Sequence, residues 1–307
     1  MGADALPLEV EDFLTWLASE KGRAPTTLNA YRRDITAFIS WLTKNELTLS
    51  EAGTKDLAKY IASLKEKGRA PSTVARATVA VRSLYRFLTI EGVLPEDPTA
   101  VLDVPKVPRG LPRALNESQI EALLASPLGV SPLAKRDRAI LEVLYGGGLR
   151  ISELVGLSLG DVDLDASLMR VLGKGNRERI VPIGRLASDA LIDWLDSSGR
   201  AVLSPEVWAS REAETAVFLN ARGGRLSRQG AWLVVRGHGN NIGLGPELTP
   251  HVLRHSCATH MLNHGADIRT VQELLGHISI TSTQRYTLVS QQVLRDVYDS
   301  AHPRAQL

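Results

Sequence analysis

The sequence has few groups that could staple, anchor or energise the fold. A single cysteine, Cys257, stands among 307 residues. That excludes an internal disulfide and suits a reducing compartment. No apolar run is long enough to span a bilayer. The stretch Met1–Asp12 carries acids where a secretion signal has a basic start and an apolar run. A cytoplasmic protein with no membrane partner is therefore expected. A Walker-type phosphate loop is missing, so nothing points to nucleotide hydrolysis. Aromatic residues make up 5% and the net charge is +2, too small to identify a polyanionic partner. What remains is 44% hydrophobic and 23% charged, the profile of a globular chain with room for two cores.

Charge is more telling in its distribution than in its sum. Lys59 to Arg86 holds seven Lys/Arg against the one acid Glu66, and Lys21 to Arg33 holds four bases and no acid. Such runs can be a phosphate-binding surface or simply a solvated helix face. They fall on an internal echo: Lys21-Gly-Arg-Ala-Pro-Thr-Thr27 recurs as Lys67-Gly-Arg-Ala-Pro-Ser-Thr73. In each copy Gly ends one helix and Pro begins the next, and an amphipathic helix with arginines follows. The first hundred or so residues thus read as a bundle of two helical hairpins. Arg23, Arg32, Arg33, Arg69, Arg76 and Arg82 are the candidate contacts to DNA. Five prolines between Pro95 and Pro112 predict an extended linker.

The second part reads as mostly helical. Asn116 with Gln119 forms a capping box, a helix over Lys135–Tyr145 stops at a Gly triplet, and a short helix follows Arg150. Leu168–Leu172 and Arg179–Ile183 predict a β-hairpin with Lys174 near its tip. A short strand is expected at Val217–Leu219, a helix at about Ser227–Val235, a Gly/Asn-rich loop at Gly237–Gly245, and helices from Pro250 onward. The fold class is therefore mainly α: an N-terminal helical bundle over 1–107, then a mostly helical domain with a small antiparallel sheet over 108–307.

Pro250 to Tyr286 holds five of the seven histidines. His251, His255, His260 and His264 invite a metal reading. No Cys or carboxylate stands in register with them, however, and one helix cannot aim all four at one ion, so neither metal nor cofactor is expected. His255, His260 and His264 read as packing or capping residues.

Five runs occur in an order that is specific: Gly148-Leu-Arg-Ile-Ser-Glu-Leu154, Gly173-Lys-Gly-Asn-Arg-Glu-Arg179, His251-Val-Leu-Arg-His255, Leu274-Leu-Gly-His277 and Tyr286. They resemble the signature of the tyrosine recombinases. Further segments, such as Leu28–Asp34, Leu262–Asp267 and His302–Ala305, are similar to the XerD branch of that family. The departures are Gly146-Gly147, where a larger or hydroxyl residue is expected, and the glycines of 237–245; neither touches a catalytic position. The resemblance implies a SAM-like core-binding domain followed by a catalytic domain, closing as a clamp on double-stranded DNA. It also implies a recombination-site substrate and resolution of chromosome dimers before cell division. The implied partners are a XerC-like recombinase in a cyclic heterotetramer and an FtsK-like translocase as regulator. The catalytic set it implies is Arg150, Lys174, His251, Arg254, His277 and the nucleophile Tyr286.

These residue types suit the chemistry. Two planar guanidiniums can clamp the non-bridging oxygens of a phosphodiester. His277 adds a donor, His251 can accept the phenol proton, and Lys174 can protonate the departing 5′ oxygen. The other tyrosines, Tyr31, Tyr60, Tyr85, Tyr145 and Tyr298, read as packing or surface residues. An integrase of a mobile element, a type IB topoisomerase and a catalytically silent DNA-binding protein remain as rivals. Last, Val293, Leu294 and Val297 share one face of a terminal helix. The resemblance favours docking of that face on a neighbouring subunit over closure of its own domain.

Overall fold

The computed structural model describes residues 6–105, 114–173, 178–245, 248–276 and 288–305, with side chains of the last helix from Val293 onward. The chain divides into two compact units, Met1–Gly110 and Leu111–Leu307.

In the first unit the echo becomes two helical hairpins. Helices α1 (Leu8–Ser19) and α2 (Pro25–Lys44) form one, α3 (Thr54–Glu66) and α4 (Pro71–Ile90) the other. Pro25 and Pro71 each occupy the first helical position, where the missing N–H is no loss. The apolar faces meet in one core around Phe13, Phe38, Tyr60, Leu84 and Tyr85. The expected linker is corrected in its first half. Leu102 is buried in this core, the Thr54 hydroxyl donates to the Pro98 carbonyl at 2.8 Å, and Arg82 donates to the Leu102 carbonyl at 3.2 Å. Burying Leu102 outweighs the extended preference of the prolines around it. Residues 106–113 lie outside the described residues.

The second unit begins with α5 (Glu117–Ala125), whose Asn116 and Gln119 form the expected capping box, with N–H···O distances of 2.8 and 3.0 Å. Then come α6 (Pro132–Gly146), α7 (Ile151–Gly156), a 3-10 turn (Leu159–Asp161) and three strands, β1 (Val162–Asp163), β2 (Leu168–Leu172) and β3 (Glu178–Pro182). The sheet is antiparallel in the order β1-β2-β3, and Val171 pairs with Arg179. Helix α8 (Arg185–Leu195) packs against α6. Two single-turn helices follow, α9 (Arg200–Leu203) and α10 (Arg211–Glu214), and then α11 (Arg228–Asn241), α12 (Pro250–Asn263), α13 (Ile268–Leu275) and α14 (Leu288–Ala301).

Two expectations fail here. Val217–Leu219 is no strand; there are only isolated bridges, Ser158–Ala216 just before it and Leu219–Arg225 at its last residue. The glycines from 237 do not end the helix, which runs on to Asn241. Tertiary contacts override their low helix propensity. Gly239 is buried, and His238 bonds Ser126 at 3.0 Å and Asp137 at 3.2 Å.

The terminal helix is the main correction. It packs against α12, α13 and β3 of its own unit. Leu294 is 4% exposed and Tyr298 1%, whereas Val293 on the outer side is 51% exposed. The Tyr298 ring stacks on buried His302 at 4.6 Å, and Arg304 forms an ion pair with Glu142 of α6. Of the face expected to dock on a neighbour, Leu294 is instead used to close the core of its own unit, whereas Val293 is not covered there. Leu294→Asp is therefore expected to destabilise the protein by about 3 kcal/mol or more, since it would bury a carboxylate in place of an apolar side chain. Urea unfolding checks this. An unchanged midpoint with lost cooperative filling of a two-site DNA would return the helix to an intermolecular role.

Candidate active site

Arg150 stands as the N-cap of α7 because the Gly triplet ends α6 just before it. Gly148 has φ +55°, and a Cβ there would meet Leu275 Cδ2 at 2.6 Å. Only glycine allows this turn and this close approach of α13. Arg254 follows His251 by one turn on α12, where Thr249 caps the helix through an acceptor for the Val252 N–H at 3.3 Å. His251 is exposed and Arg254 is buried.

The two arginines meet around a carboxylate that sequence reasoning left out of the site. Glu153 lies three residues after Arg150, and its side chain is 1% exposed. One of its oxygens accepts the Arg150 main-chain N–H at 2.8 Å, and the other accepts Arg150 Nη1 at 2.7 Å. Arg179, from β3, donates to both oxygens at 2.7 and 2.9 Å. Arg254 Nη1 stands 3.8 Å from the same carboxylate. Its guanidinium is committed elsewhere, to the carbonyls of Gly148 at 2.7 Å and of Leu275. Arg150 Nη2 reaches the Gly276 carbonyl at 3.4 Å, and Arg179 Nε the Leu274 carbonyl at 2.8 Å. The end of α13, one residue before His277, is thus held by three guanidiniums. A guanidinium has five N–H donors, and these bonds leave several on Arg150 and Arg254 for an anion.

Burial alone would raise the Glu153 carboxyl. Hydrogen bonds and charge from Arg179, then the N–H and guanidinium of Arg150, overcome it and hold the group at about 2. Burial lowers Arg254 to about 10, and repulsion from Arg150 adds to this. A carboxyl depressed on folding contributes stability that is complete above its unfolded value and lost as pH falls through its folded value. For Glu153 the window runs from about 4.5 down to about 2. Glu153→Gln should cost about 3 kcal/mol at neutral pH, and its deficit against the parent should shrink steadily below pH ~4. Urea unfolding across that range is the measurement; a constant deficit would show that the charge of Glu153 is not what stabilises the fold.

Of the six expected catalytic residues, the structure places Arg150, His251 and Arg254 in this region, the two arginines on one cluster. Lys174, His277 and Tyr286 lie outside the described residues. Glu153 and Arg179 could have been found: both sit inside motif runs already singled out, Glu153 at the capping-box position and Arg179 closing the hairpin motif. Among the described residues no group of His, Cys, Asp and Glu is arranged to hold a metal. His260 bonds the Tyr145 hydroxyl at 2.9 Å and the Leu115 carbonyl at 2.8 Å, and His264 turns back to the His260 carbonyl at 2.8 Å, as packing and capping residues do. His255 is exposed.

On the N-terminal unit the candidate DNA contacts fall into two sets. Arg32 forms a bidentate pair with Glu11 at 2.6 and 2.7 Å, Arg76 one with Asp34 at 2.8 and 3.1 Å, and Arg82 holds the Leu102 carbonyl. Arg23, Arg33 and Arg69 are exposed and pair with no carboxylate among the described residues.

Residues 113–292 match the phage integrase family, and residues 10–92 match the phage integrase N-terminal SAM-like domain. The chain belongs to the phage integrase family. It is a site-specific tyrosine recombinase, an enzyme that breaks and rejoins DNA strands. Tyrosine recombinase XerD of Halalkalibacterium halodurans is 42% identical over 96% of this chain and 98% of its own length. Tyrosine recombinase XerC of Herpetosiphon aurantiacus is 46% identical over 92% and 90%. Among solved structures, the Tn1549 transposon integrase in complex with circular intermediate DNA matches with a TM-score of 0.69 at 17% identity, over 93% and 98% of the two chains. XerH recombinase bound to a palindromic difH substrate matches at 0.66 and 22%, over 95% and 88%. At those identities the structural likeness is one of fold. The recombinase fold is mainly helical with a three-stranded antiparallel sheet. No described helix is long and apolar enough to cross a membrane.

Proposed function

We propose that this recombinase resolves chromosome dimers at a dif-like site during cell division, through a 3′-phosphotyrosyl intermediate on Tyr286. The observation that carries the chemistry is the pair Arg150 and Arg254, fixed around Glu153 with N–H donors to spare. In this reading both guanidiniums bind the non-bridging oxygens of the scissile phosphate, with His277 as a further donor. The Tyr286 oxygen forms a bond to phosphorus as its proton passes to His251. The bond to the 5′ oxygen breaks, and Lys174 protonates the leaving group. The ester keeps the energy of the broken bond, so rejoining is the same path reversed.

The other tyrosines support Tyr286 by their placement. Tyr60, Tyr85, Tyr145 and Tyr298 are each at most 2% exposed, and Tyr31 is half-buried against Phe13. Burial pushes the Tyr60 phenol up to about 12, away from the easy deprotonation a nucleophile needs. The N-terminal unit is read as the core-binding half of a DNA clamp over 1–107, with the catalytic half over 108–307. Arg23, Arg33 and Arg69 can take phosphates directly, whereas Arg32, Arg76 and Arg82 must share or exchange their present partners. A XerC-like recombinase completes a cyclic heterotetramer, an FtsK-like translocase regulates it, and the setting is cytoplasmic.

A nicked suicide duplex tests the proposal. It should yield an adduct on the 3′ end that survives denaturation, and with a second duplex and a XerC-like partner present the labelled strand should appear joined to it. An adduct without strand exchange would make the chain topoisomerase-like; no adduct would leave a silent DNA-binding protein.

A further inference from the structure

Arg179 is a charged residue on the wrong side of its strand. On β3 it lies between Glu178 and Ile180 but points to the core face, opposite Val171, and is 5% exposed. A cation placed there is strongly unfavourable unless paired and fully hydrogen-bonded. Its partners are two: both oxygens of Glu153 and the carbonyl of Leu274. The end of α13 is shaped around it. Gly276 has φ +65°, and a Cβ there would meet Arg179 Cδ, Nε and Nη1 at 3.3 to 3.4 Å. Arg179 thus ties the sheet to the carboxylate that holds Arg150.

We infer that Arg179 is a positioning residue for strand cleavage, which fixes Glu153 and thereby Arg150 and supplies the buried third positive charge behind the phosphate clamp. The inference rests on the proposed reading of Arg150 and Arg254 as that clamp. Three guanidiniums and one carboxylate leave the cluster with a net charge of two positives. A phosphodiester carries one negative charge, and its pentacoordinate transition state approaches two. The cluster therefore complements the transition state better than the ground state, which is what accelerates a reaction. Removing Arg179 leaves one positive, matched to the ground state. It also removes two of the four hydrogen bonds that orient Glu153, freeing that carboxylate to turn onto Arg150 and Arg254 and draw them off the phosphate.

The test is single-turnover cleavage by the full chain at saturating protein on two suicide duplexes. One has an ordinary scissile phosphate. The other has a methylphosphonate there, in which a methyl group replaces one non-bridging oxygen and removes its charge. Arg179→Met is expected to slow cleavage about 30-fold or more on phosphate but only about threefold on methylphosphonate, because the neutral centre needs less cationic stabilisation. Arg179→Lys keeps the charge without the fork and should fall between parent and Arg179→Met with the same substrate bias; it decides the matter if Arg179→Met does not fold. A purely structural role would slow both substrates equally, and that result overturns the inference. Rescue by sulfur at the bridging 5′ position also overturns it, since it would place Arg179 in leaving-group chemistry. Arg150→Ala separates the two levels. If methylphosphonate fails to relieve Arg150→Ala, the clamp reading itself fails. If it relieves Arg150→Ala but not the Arg179 variants, only the role of Arg179 is lost.

Discussion

Tyr286→Phe should abolish the covalent adduct while half-site binding stays within about twofold of the parent, because only one hydroxyl is removed. The phenol oxygen is the one atom that bonds to phosphorus in the proposed path, so no neighbouring group can substitute for it in part. A loss of at least about 10⁴-fold in adduct formation is expected. The remaining tyrosines offer no reserve. Four are in hydrophobic cores, with the Tyr145 hydroxyl engaged by His260 and the Tyr85 hydroxyl donating to the Leu49 carbonyl at 3.0 Å. Denaturing gels of a nicked duplex give the adduct, and gel shifts give binding. Persistence of the adduct in Tyr286→Phe would remove Tyr286 as nucleophile, and peptide mapping of that adduct would name the residue that replaces it.

Arg254→Ala carries the second large effect, and it acts at two levels. As a clamp residue, Arg254 loses its donors to the developing charge, and cleavage should fall about 10²- to 10³-fold. As a staple, it now bonds the carbonyls of Gly148 and Leu275, which lead into Arg150 and into His277. Truncation orphans both carbonyls in a buried site, at about 1–3 kcal/mol each. The variant should therefore lose thermal stability as well as rate. Arg254→Lys separates the levels: one ammonium restores the charge but cannot bridge two carbonyls and an anion in one plane. It should recover part of the rate on phosphate and little of the stability. Thermal unfolding beside single-turnover cleavage reads both. If Arg254→Ala cleaves like the parent, Arg254 is a staple alone.

Much of this protein was legible along the chain because local rules decide it. The echo with Pro25 and Pro71 set four helices, the Asn116–Gln119 box set the start of α5, and alternating residues set the hairpin of β2 and β3. Each of these depends on neighbours within a few residues, where hydrogen-bond geometry and backbone dihedrals are fixed by residue type. The family was legible for a related reason: its motifs are short and ordered along the chain.

What failed depended on distant partners. The glycines of 237–241 read as a loop, yet His238 reaches α5 and α6 and keeps the helix wound. Leu294 and Tyr298 formed an apolar face with no address until α12, α13 and β3 supplied one within the same unit. Pro95–Leu102 read as linker until Leu102 found the N-terminal core. Glu153 and Arg179 show the division most clearly. By itself the sequence determined that two arginines, a lysine, two histidines and a tyrosine occur in the order of a DNA strand-transferring enzyme. Only the tertiary structure decided that residues 26 apart share two hydrogen bonds, that Arg254 reaches across 106 residues to Gly148, and that one carboxylate gathers three guanidiniums. The strength of a charge pair depends on the distance between the groups in space and on their burial, and neither is fixed by spacing along the chain.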